Sequence, residues 1–359
     1  MGRSVRLVAL LMVVMAWWAL PVWAQGADLS RAVTWVKAQQ QPDGGFSDGF
    51  SEGSNVGATV DAVFAAVAVG EDVSQWGSPS PLDFLASQAG RLERTGEIAK
   101  TILVAVATGQ DPTTFGDVDL VAALLARYDE RTGRFEGLVT DHAFAMLALK
   151  NAGQPVPSGA AEALKALQAD GGGWAFDGSS QPDTNTTALA IQALVAAGEP
   201  ASGEAMTRAL DFLRAQQNED GGFPYQKPSD FGTETDANST AWAIQGLVAA
   251  GQSLDDWNAP HQALAALQAE SGAFQWKAIV PGDNFLATAQ AVPALAGVTF
   301  VEVPTVSAAT PPQVTPAPQT LPTTGTENTA AWPVAVLVGV GAVLLLVGLA
   351  VSRRGLVGR

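Results

Sequence analysis

Three stretches of the chain carry polar side chains at spacings that suit a binding or catalytic wall. They are DTNTTALAIQALVAAG from Asp183, DANSTAWAIQGLVAAG from Asp236 and DNFLATAQAVPALAG from Asp283. A carboxyl group in such a stretch can serve as a general acid when it is protonated and within reach of the reacting atom. Each stretch also places two polar residues about two helical turns apart, so both project from one helix face.

These residues define a candidate ligand-binding set, and two interpretations of it stay open. Either the side chains line a wet cavity and bind a ligand, or the acidic and asparagine residues cap helices while the glutamines brace the fold. Convergent helix N-termini would favour a polar or anionic ligand. The set comprises Asp183, Asn185, Gln192, Asp236, Asn238, Trp242, Gln245, Asn284 and Gln290.

A Gly-aromatic turn recurs along residues 25–300 and indicates a helical repeat. An amphipathic stretch precedes each turn, and an Ala-rich, nearly uncharged stretch ending in glycine follows it. Helices of the second kind must be surrounded by other helices, whereas those of the first kind have one face in water. The pattern predicts an all-α protein of six helical hairpins, about twelve helices, with inner helices inside outer ones. A closed α/α toroid and an open solenoid both fit the periodicity, and the number of hairpins favours closure. The terminal glycines, which we expect to be left-handed C-caps, are Gly70, Gly109, Gly153, Gly198, Gly251 and Gly297.

The aromatic residues of the later turns also have two interpretations. They pin each turn onto the next hairpin, or they form a stacking surface for sugars or planar ligands. These residues are Trp174, Phe176, Phe223, Tyr225, Phe274 and Trp276.

The turns carry a specific resemblance. Four copies read Gln-x3-Gly-x-aromatic, beginning at Gln40, Gln168, Gln217 and Gln268. They resemble the Gln-Trp repeats of the prenyltransferase and squalene-cyclase superfamily, which implies an α/α toroid. The last copy, with Asn284, Gln290, Pro293-Ala294-Leu295 and Gly297, resembles the end of the helical domain in transcobalamin and intrinsic factor. That second resemblance makes cobalamin a candidate ligand, and no other cofactor is predicted.

The resemblance also implies where catalysis would be. Cyclases of the superfamily use an Asp-x-Asp-Asp-Thr-Ala motif, and Thr187-Ala188 aligns Asp183, Asn185 and Thr186 with its aspartates. An amide or a hydroxyl cannot supply the proton, so Asp183 and Asp236 are the acidic candidates that remain. The chain has no cysteine, so it cannot form the zinc site of protein prenyltransferases or a thioester, and no metal site is predicted.

We therefore expect a non-catalytic module that binds a small molecule, corrinoid-like in one version, or a glycan. A cyclase-like, prenyltransferase-like or glycan-processing enzyme is the alternative, and a scaffold or adhesion module is a further one. The chain carries 19 Lys and Arg against 35 Asp and Glu, a formal charge of −16. Such an acidic chain argues against nucleic acid as a partner.

Both ends of the chain predict export. Residues 1–24 have the layout of a signal peptide cleaved near Ala24, and residues 301–320 form a Pro- and Thr-rich, disordered stalk. The apolar stretch 330–351 is long enough to be a transmembrane helix, and the basic tail 352–359 would stay in the cytoplasm. Together with LPTTG, these parts resemble a Gram-positive sortase signal, which implies attachment of Thr324 to the cell wall, with the membrane helix holding the protein until then. The motif residues are Leu321, Pro322, Thr323, Thr324 and Gly325.

Overall fold

The computed structural model describes residues 26–50, 52–230 and 232–306, and this part of the chain contains twelve α-helices. The inner helices are α2 (Val56–Ala68), α4 (Thr95–Ala107), α6 (Val139–Asn151), α8 (Thr184–Ala196), α10 (Ala237–Ala249) and α12 (Phe285–Leu295). The outer helices are α1 (Leu29–Ala38), α3 (Pro81–Gln88), α5 (Leu120–Leu125), α7 (Ser158–Ala166), α9 (Glu204–Gln216) and α11 (Pro260–Ala265). The described residues also form three short 3-10 helices, Val73–Gln75, Ala89–Arg91 and Leu254–Trp257. They contain one two-stranded antiparallel hairpin, made of β1 (Tyr128–Asp129) and β2 (Arg134–Phe135).

The inner helices form a closed ring. Each packs against the inner helix before it and the one after it, and α12 packs against α2. The outer helices lie around this ring, each against the inner helix that precedes it in the chain, and α1 lies against α12 and α2. The prediction of an α/α toroid is therefore confirmed, and the ring is closed rather than an open solenoid.

The composition of the two helix types explains their places. Helix α8 buries eleven of its 13 residues, whereas the amphipathic α9 buries four of 13. Small side chains let the inner helices approach closely. A Cβ on Gly246 of α10 would lie 2.9 Å from the Cα of Ala188 in α8, so a larger residue there would force the two helices apart.

Each inner helix ends as its sequence predicts. All six terminal glycines have positive φ, between 68° and 89°, which is the left-handed conformation that a C-cap requires. In four of the six inner helices the start is fixed by an Asp or Asn side chain. Asn55, Asp183, Asp236 and Asn284 accept a hydrogen bond from a backbone N–H three residues later.

The glutamine of each Gln-x3-Gly turn binds two backbone carbonyls. Gln168 donates from Nε2 to the carbonyl of Gly172 in its own turn, at 2.7 Å, and to that of Ala205 in the next outer helix, at 2.8 Å. In the last turn Gln268 binds Gly272 in the same way, and its second acceptor is the carbonyl of Asp28, which caps α1. The last hairpin is therefore joined to the first, which closes the ring.

A second set of bonds ties each turn to the inner helix that follows. The backbone N–H of Trp174 donates to Thr187 Oγ1 at 3.0 Å, and four of the other turns repeat this bond. In three of them the acceptor is a threonine: Thr59, Thr240 and Thr288. In the third hairpin His142 takes this position. Its Nδ1 accepts from the N–H of Phe135, and its Nε2 lies 3.0 Å from the carbonyl of Ala160.

The segment after α12 packs across the C-terminal ends of the inner helices. Phe300 and Val303 are buried, and Asn151 at the end of α6 binds both of their backbones. The N–H of Val306 donates to Ala107, the last residue of α4, at 2.8 Å. The toroid therefore extends to residue 306, beyond the predicted boundary at 300, because this segment has apolar side chains to bury.

Most of the predicted terminal segments lie outside the described residues. These are the signal peptide 1–24, the stalk from residue 307 onward, LPTTG 321–325, the apolar segment 330–351 and the tail 352–359. In the part of the chain that is described, no helix is both long enough and apolar enough to cross a bilayer.

Replacement of His142 by threonine is expected to flatten the dependence of stability on pH. Burial lowers the pKa of His142 to about 4, whereas an unfolded histidine titrates near pH 6.5. The unfolded chain therefore binds a proton that the folded protein excludes, and stability falls by about 3 kcal/mol as the pH drops across that interval.

Denaturant unfolding of the wild type and of His142→Thr between about pH 4 and 7 measures this difference, and the threonine matches the other hairpins. The explanation would be wrong if the variant kept the full slope of the wild type.

Candidate functional site

A cavity of about 570 Å³ opens at the N-terminal ends of the inner helices. Its residues belong mainly to the first three turns of these helices, so the opening lies on the face opposite the segment 298–306. Part of its lining is apolar and aromatic, with Phe144, Leu189 and Trp242. The rest is mainly polar and charged, with Arg94, Glu97, Lys100, Asp141, Asn185 and Gln290 among its residues. Both kinds of side chain come from the same helices, since Asp141 and Phe144 belong to α6 and Asn185 and Leu189 to α8.

Three polar side chains form a hydrogen-bonded chain beside the cavity. Asn238 donates from Nδ2 to Gln290 Oε1 at 2.9 Å. Gln290 in turn donates from Nε2 to Asp61 Oδ2 at 3.2 Å. The residues come from α10, α12 and α2, which are far apart in sequence and adjacent in the closed ring. Ring closure therefore creates this chain.

Asp61 is the residue of this group that the sequence analysis missed. Burial raises the pKa of its carboxyl, although the positive charge of Lys100 and the hydrogen bond from Gln290 act in the opposite direction. The Lys100 ammonium lies 4.7 Å from the centre of the Phe144 ring. One signal was available in the sequence: Asp61 is the one charged residue of α2, which is otherwise uncharged from Val56 to Ala68.

Aromatic rings close the cavity on its inner side. Trp242 stacks on Phe300 at a centroid distance of 5.6 Å, and Phe144 meets Phe300 edge to face at 5.7 Å. Phe64 makes a further edge contact with Phe300 at 5.0 Å. The segment after α12 therefore packs behind Phe144 and Trp242, the two aromatic residues that line the cavity.

The predicted ligand-binding residues divide into three groups. Asn185, Trp242 and Gln290 line the cavity, and Asn238 is bonded to Gln290. The buried Oδ1 of Asn185 has no hydrogen-bond partner among the described residues. Asp183, Asp236 and Asn284 are the helix caps described above.

The remaining two predicted residues bind the C-terminal segment. Gln192 Oε1 accepts from the N–H of Phe300 at 2.8 Å, and Gln245 Nε2 donates to the carbonyl of Val298 at 2.9 Å. Both glutamines are buried at the far end of the ring. They act as braces, one of the two interpretations that the spacing left open.

The helix N-termini around the opening are occupied by the protein itself. The carboxylate of Asp183 accepts from the N–H and the hydroxyl of Thr186, and that of Asp236 binds Ser239 in the same way. Burial raises the pKa of both carboxyls, and these hydrogen bonds oppose that effect. The first N–H of α8 donates to the carbonyl of Tyr225 at 2.8 Å. The free N–H groups expected for an anionic ligand are therefore engaged at this helix.

The described residues contain no group of three or more His, Asp or Glu side chains placed to hold a metal ion. His142 is buried with both ring nitrogens engaged.

Comparisons with known proteins agree with this architecture. The squalene-hopene cyclase C-terminal domain family matches residues 138–285, and the prenyltransferase α/α toroid domain family matches residues 3–104. These two parts of the chain are therefore similar to the toroid domains of squalene-hopene cyclases and prenyltransferases. A search of curated protein sequences finds no match.

Solved structures with the same toroid are similar over most of their length. The type II terpene cyclase MstE from Scytonema aligns with a TM-score of 0.59 and 14% identity, covering 75% of this chain and 96% of that one. A protein from Actinoplanes aligns with a TM-score of 0.56 and 17% identity, covering 75% and 98%. Haptocorrin in complex with Cbi aligns with a TM-score of 0.50 and 16% identity, covering 77% and 67%. At these identities the likeness is one of fold.

Replacement of Asp61 by asparagine is expected to stabilise the toroid at neutral pH and to lose this advantage in acid. Burial makes the folded protein bind the Asp61 proton more tightly than the unfolded chain does, so the ionised carboxylate opposes folding above its raised pKa. Asparagine keeps an oxygen that can accept from Gln290.

Urea unfolding at about pH 7 and about pH 4 tests this difference. Asp170→Asn, at an exposed position, is the control. Equal destabilisation of Asp61→Asn at both pH values would contradict the assignment of Asp61 as a desolvated group.

Proposed function

We propose that the protein is a non-catalytic binding module that holds a small amphiphilic molecule in the central cavity. The observation that carries this proposal is the mixed lining of the cavity. It combines the aromatic side chains of Phe144 and Trp242 with the polar side chains of Asn185, Gln290 and Lys100. A molecule with an apolar surface and several polar groups can contact both kinds of side chain.

The size of the cavity supports a ligand of drug-like dimensions. Pockets for such ligands have volumes of roughly 300–1,000 Å³ and combine an apolar lining with a few placed polar groups. The cavity, at about 570 Å³, falls inside this range. The buried Oδ1 of Asn185 is an acceptor whose desolvation is not compensated within the protein, and a donor on the ligand would remove that penalty.

The cyclase-like positions support binding rather than inherited catalysis. Asn185 and Thr186 stand where the cyclase motif has aspartates, and neither can donate a proton as a carboxylic acid does. Asp183 is buried as a cap and engaged by Thr186. It is therefore not available to a molecule in the cavity.

Cobalamin and saccharides are the named ligands to test first. The end of the last repeat suggests a corrinoid, but of its two polar residues only Gln290 lines the cavity, since Asn284 caps α12. Small saccharides have one apolar face and many hydroxyl groups, so they can contact both the aromatic and the polar side chains of the cavity lining.

The proposal places the module at the extracellular side of the cell, attached to the cell wall at Thr324 or held by the apolar segment 330–351. This part rests on the sequence alone.

The double variant Asn185→Ala/Asn238→Ala is expected to bind the cavity ligand at least about tenfold more weakly. It loses the acceptor on Asn185 and the bond that holds Gln290 in place, and each lost hydrogen bond costs roughly 0.5–1.5 kcal/mol. Native mass spectrometry of the purified full-length chain identifies the co-purifying molecule, and calorimetry with that molecule, cobalamin and maltose measures the affinity.

Gln262→Ala, at an exposed position of α11, is the matched control for loss of an amide. Unchanged affinity in the double variant, with its helical content intact, would place the ligand elsewhere. Collapse of the fold would instead favour a purely structural role for both asparagines.

Asp61 favours one second candidate, an enzyme that protonates an apolar substrate in the cavity. Burial raises the pKa of Asp61, which favours the acid form that such a step requires. Protonation of the substrate would give a carbocation, and the aromatic rings of Phe144 and Trp242 in the cavity lining would stabilise it.

Incubation of the full-length chain with geranylgeraniol and squalene, followed by mass-spectrometric product analysis, tests this candidate. Turnover that is lost in Asp61→Asn and kept in Asp183→Asn would support it and displace the binding proposal. Absence of product would remove it.

A further inference from the structure

The exposed large hydrophobic side chains of the toroid gather at one end of it. Eight such residues are exposed in the described part of the chain, and seven of them lie in the loops that lead into inner helices. The exception is Leu125, at the end of the outer helix α5. The seven are Phe50, Leu138, Phe176, Tyr225, Trp276, Ile279 and Val280. They surround the opening of the cavity, and we call this surface the rim.

The two aromatic residues of each later turn differ in how far they are exposed to solvent. The first residue of each pair, Trp174, Phe223 or Phe274, is completely buried and pins the turn. The second residue, Phe176, Tyr225 or Trp276, is 40–42% exposed. Pinning the turn therefore accounts for the first residue of each pair and leaves the second unexplained.

Phe176, Tyr225 and Trp276 form a regular row. Their backbone carbonyls accept from the first N–H groups of α6, α8 and α10, with donor–acceptor distances of 2.9, 2.8 and 2.8 Å. These are consecutive inner helices of the ring. Since packed helices lie about 8–10 Å apart, the three rings follow one another along the rim at about that spacing.

The rings of this row are held in fixed positions. The hydroxyl of Tyr225 is hydrogen-bonded to the buried Asp183 carboxylate, and burial together with that charge raises the pKa of Tyr225. The Lys277 ammonium lies over the Trp276 ring, 4.8 Å from its centre, and Trp276 is still 40% exposed. A preorganised surface loses little conformational freedom when it binds a partner.

Ordered polar groups lie between the rings. The carboxylate of Asp177 accepts from the N–H groups of Ser179 and Ser180 at 2.8 Å, and these bonds lower its pKa to about 2. Glu234 pairs with Lys277 at 3.4 Å. The row therefore presents apolar ring faces next to charged and hydrogen-bonding groups.

We infer that the rim is a second binding surface, and that its ligand is an extended, uncharged polysaccharide that stacks on Phe176, Tyr225 and Trp276. Pyranose rings present C–H groups to the negative faces of aromatic rings, and their hydroxyl groups can bind the polar groups between. A row of three platforms fits a chain of sugars better than a single residue. This surface is independent of the cavity ligand.

The charge of the surface selects among possible partners. The chain has a net charge of −16, and Asp177 and Glu234 lie beside the row. Anionic polymers and anionic lipid headgroups would be repelled, and burial of these carboxylates in a lipid surface would be costly. An uncharged polymer in water avoids both penalties.

Affinity measurements with the full-length protein in detergent test the inference. The probes are cellohexaose, chitohexaose and maltohexaose, and the variants are Phe176→Ala, Tyr225→Ala and Trp276→Ala, singly and together. We expect binding of at least one hexasaccharide, a loss of roughly threefold to tenfold in each single variant and of at least about tenfold in the triple variant. Leu125→Ala, an equally exposed residue outside the rim, should bind as the wild type does.

Further variants separate this surface from structural effects and from the cavity. Tyr225→Phe keeps the ring if the triple variant fails to fold, and it should retain most of the affinity that Tyr225→Ala loses. Asn185→Ala/Asn238→Ala should leave the hexasaccharide affinity unchanged, since those residues belong to the cavity.

Three results would overturn the inference. These are no binding of any hexasaccharide by the wild type, equal binding by the wild type and the single variants, and flotation of the wild type with phosphatidylcholine vesicles that the triple variant loses. The last result would identify a lipid surface as the partner.

Discussion

The structure depends on one repeated interaction, a glutamine amide that binds two backbone carbonyls belonging to successive hairpins. Gln168 joins its own turn to α9, and Gln268 joins the last turn to the cap of α1. Such a bridge needs the turn to approach the next outer helix closely, which only glycine allows. A Cβ on Gly172 would lie 2.3 Å from the carbonyl oxygen of Arg208. An alanine-rich inner helix has little surface with which to fold alone, so the ring is stable because each hairpin is held by its neighbours.

Closure of the ring brings together the polar side chains beside the central cavity. Asp61, Asn238 and Gln290 lie on three different hairpins, and they meet because α12 returns to α2. The segment after α12 then closes one end with Phe300. The cavity that remains has aromatic and polar side chains in its lining, whereas Asp183 and Asp236 at the helix starts are engaged as caps.

Hydrogen bonds between different hairpins hold the groups of both proposed binding surfaces, the cavity and the rim. Beside the cavity, Asn238, Gln290 and Asp61 are hydrogen-bonded to one another across hairpins, so their side chains have fixed orientations. At the rim, the carbonyls of Phe176, Tyr225 and Trp276 bind helix N-termini, so the backbone beneath these exposed rings is held in place. Asp183 serves both arrangements, because it caps α8 and holds the hydroxyl of Tyr225. A residue that resembles a catalytic acid in sequence therefore positions its surroundings.

The sequence by itself determined the hairpin repeat and the six glycine C-caps, because local backbone geometry fixes which residue types these positions tolerate. Only the structure decided that Asp183, Asp236 and Asn284 cap helices. The sequence also placed Asn185 and Gln192 correctly on one helix face. Only the tertiary structure decided that Asn185 faces a cavity while Gln192 binds Phe300, since periodicity defines a face but not its depth along the ring axis. The role of Asp61 escaped prediction for a related reason. Its partners Gln290 and Lys100 come from other hairpins, and such contacts exist only once the ring has closed.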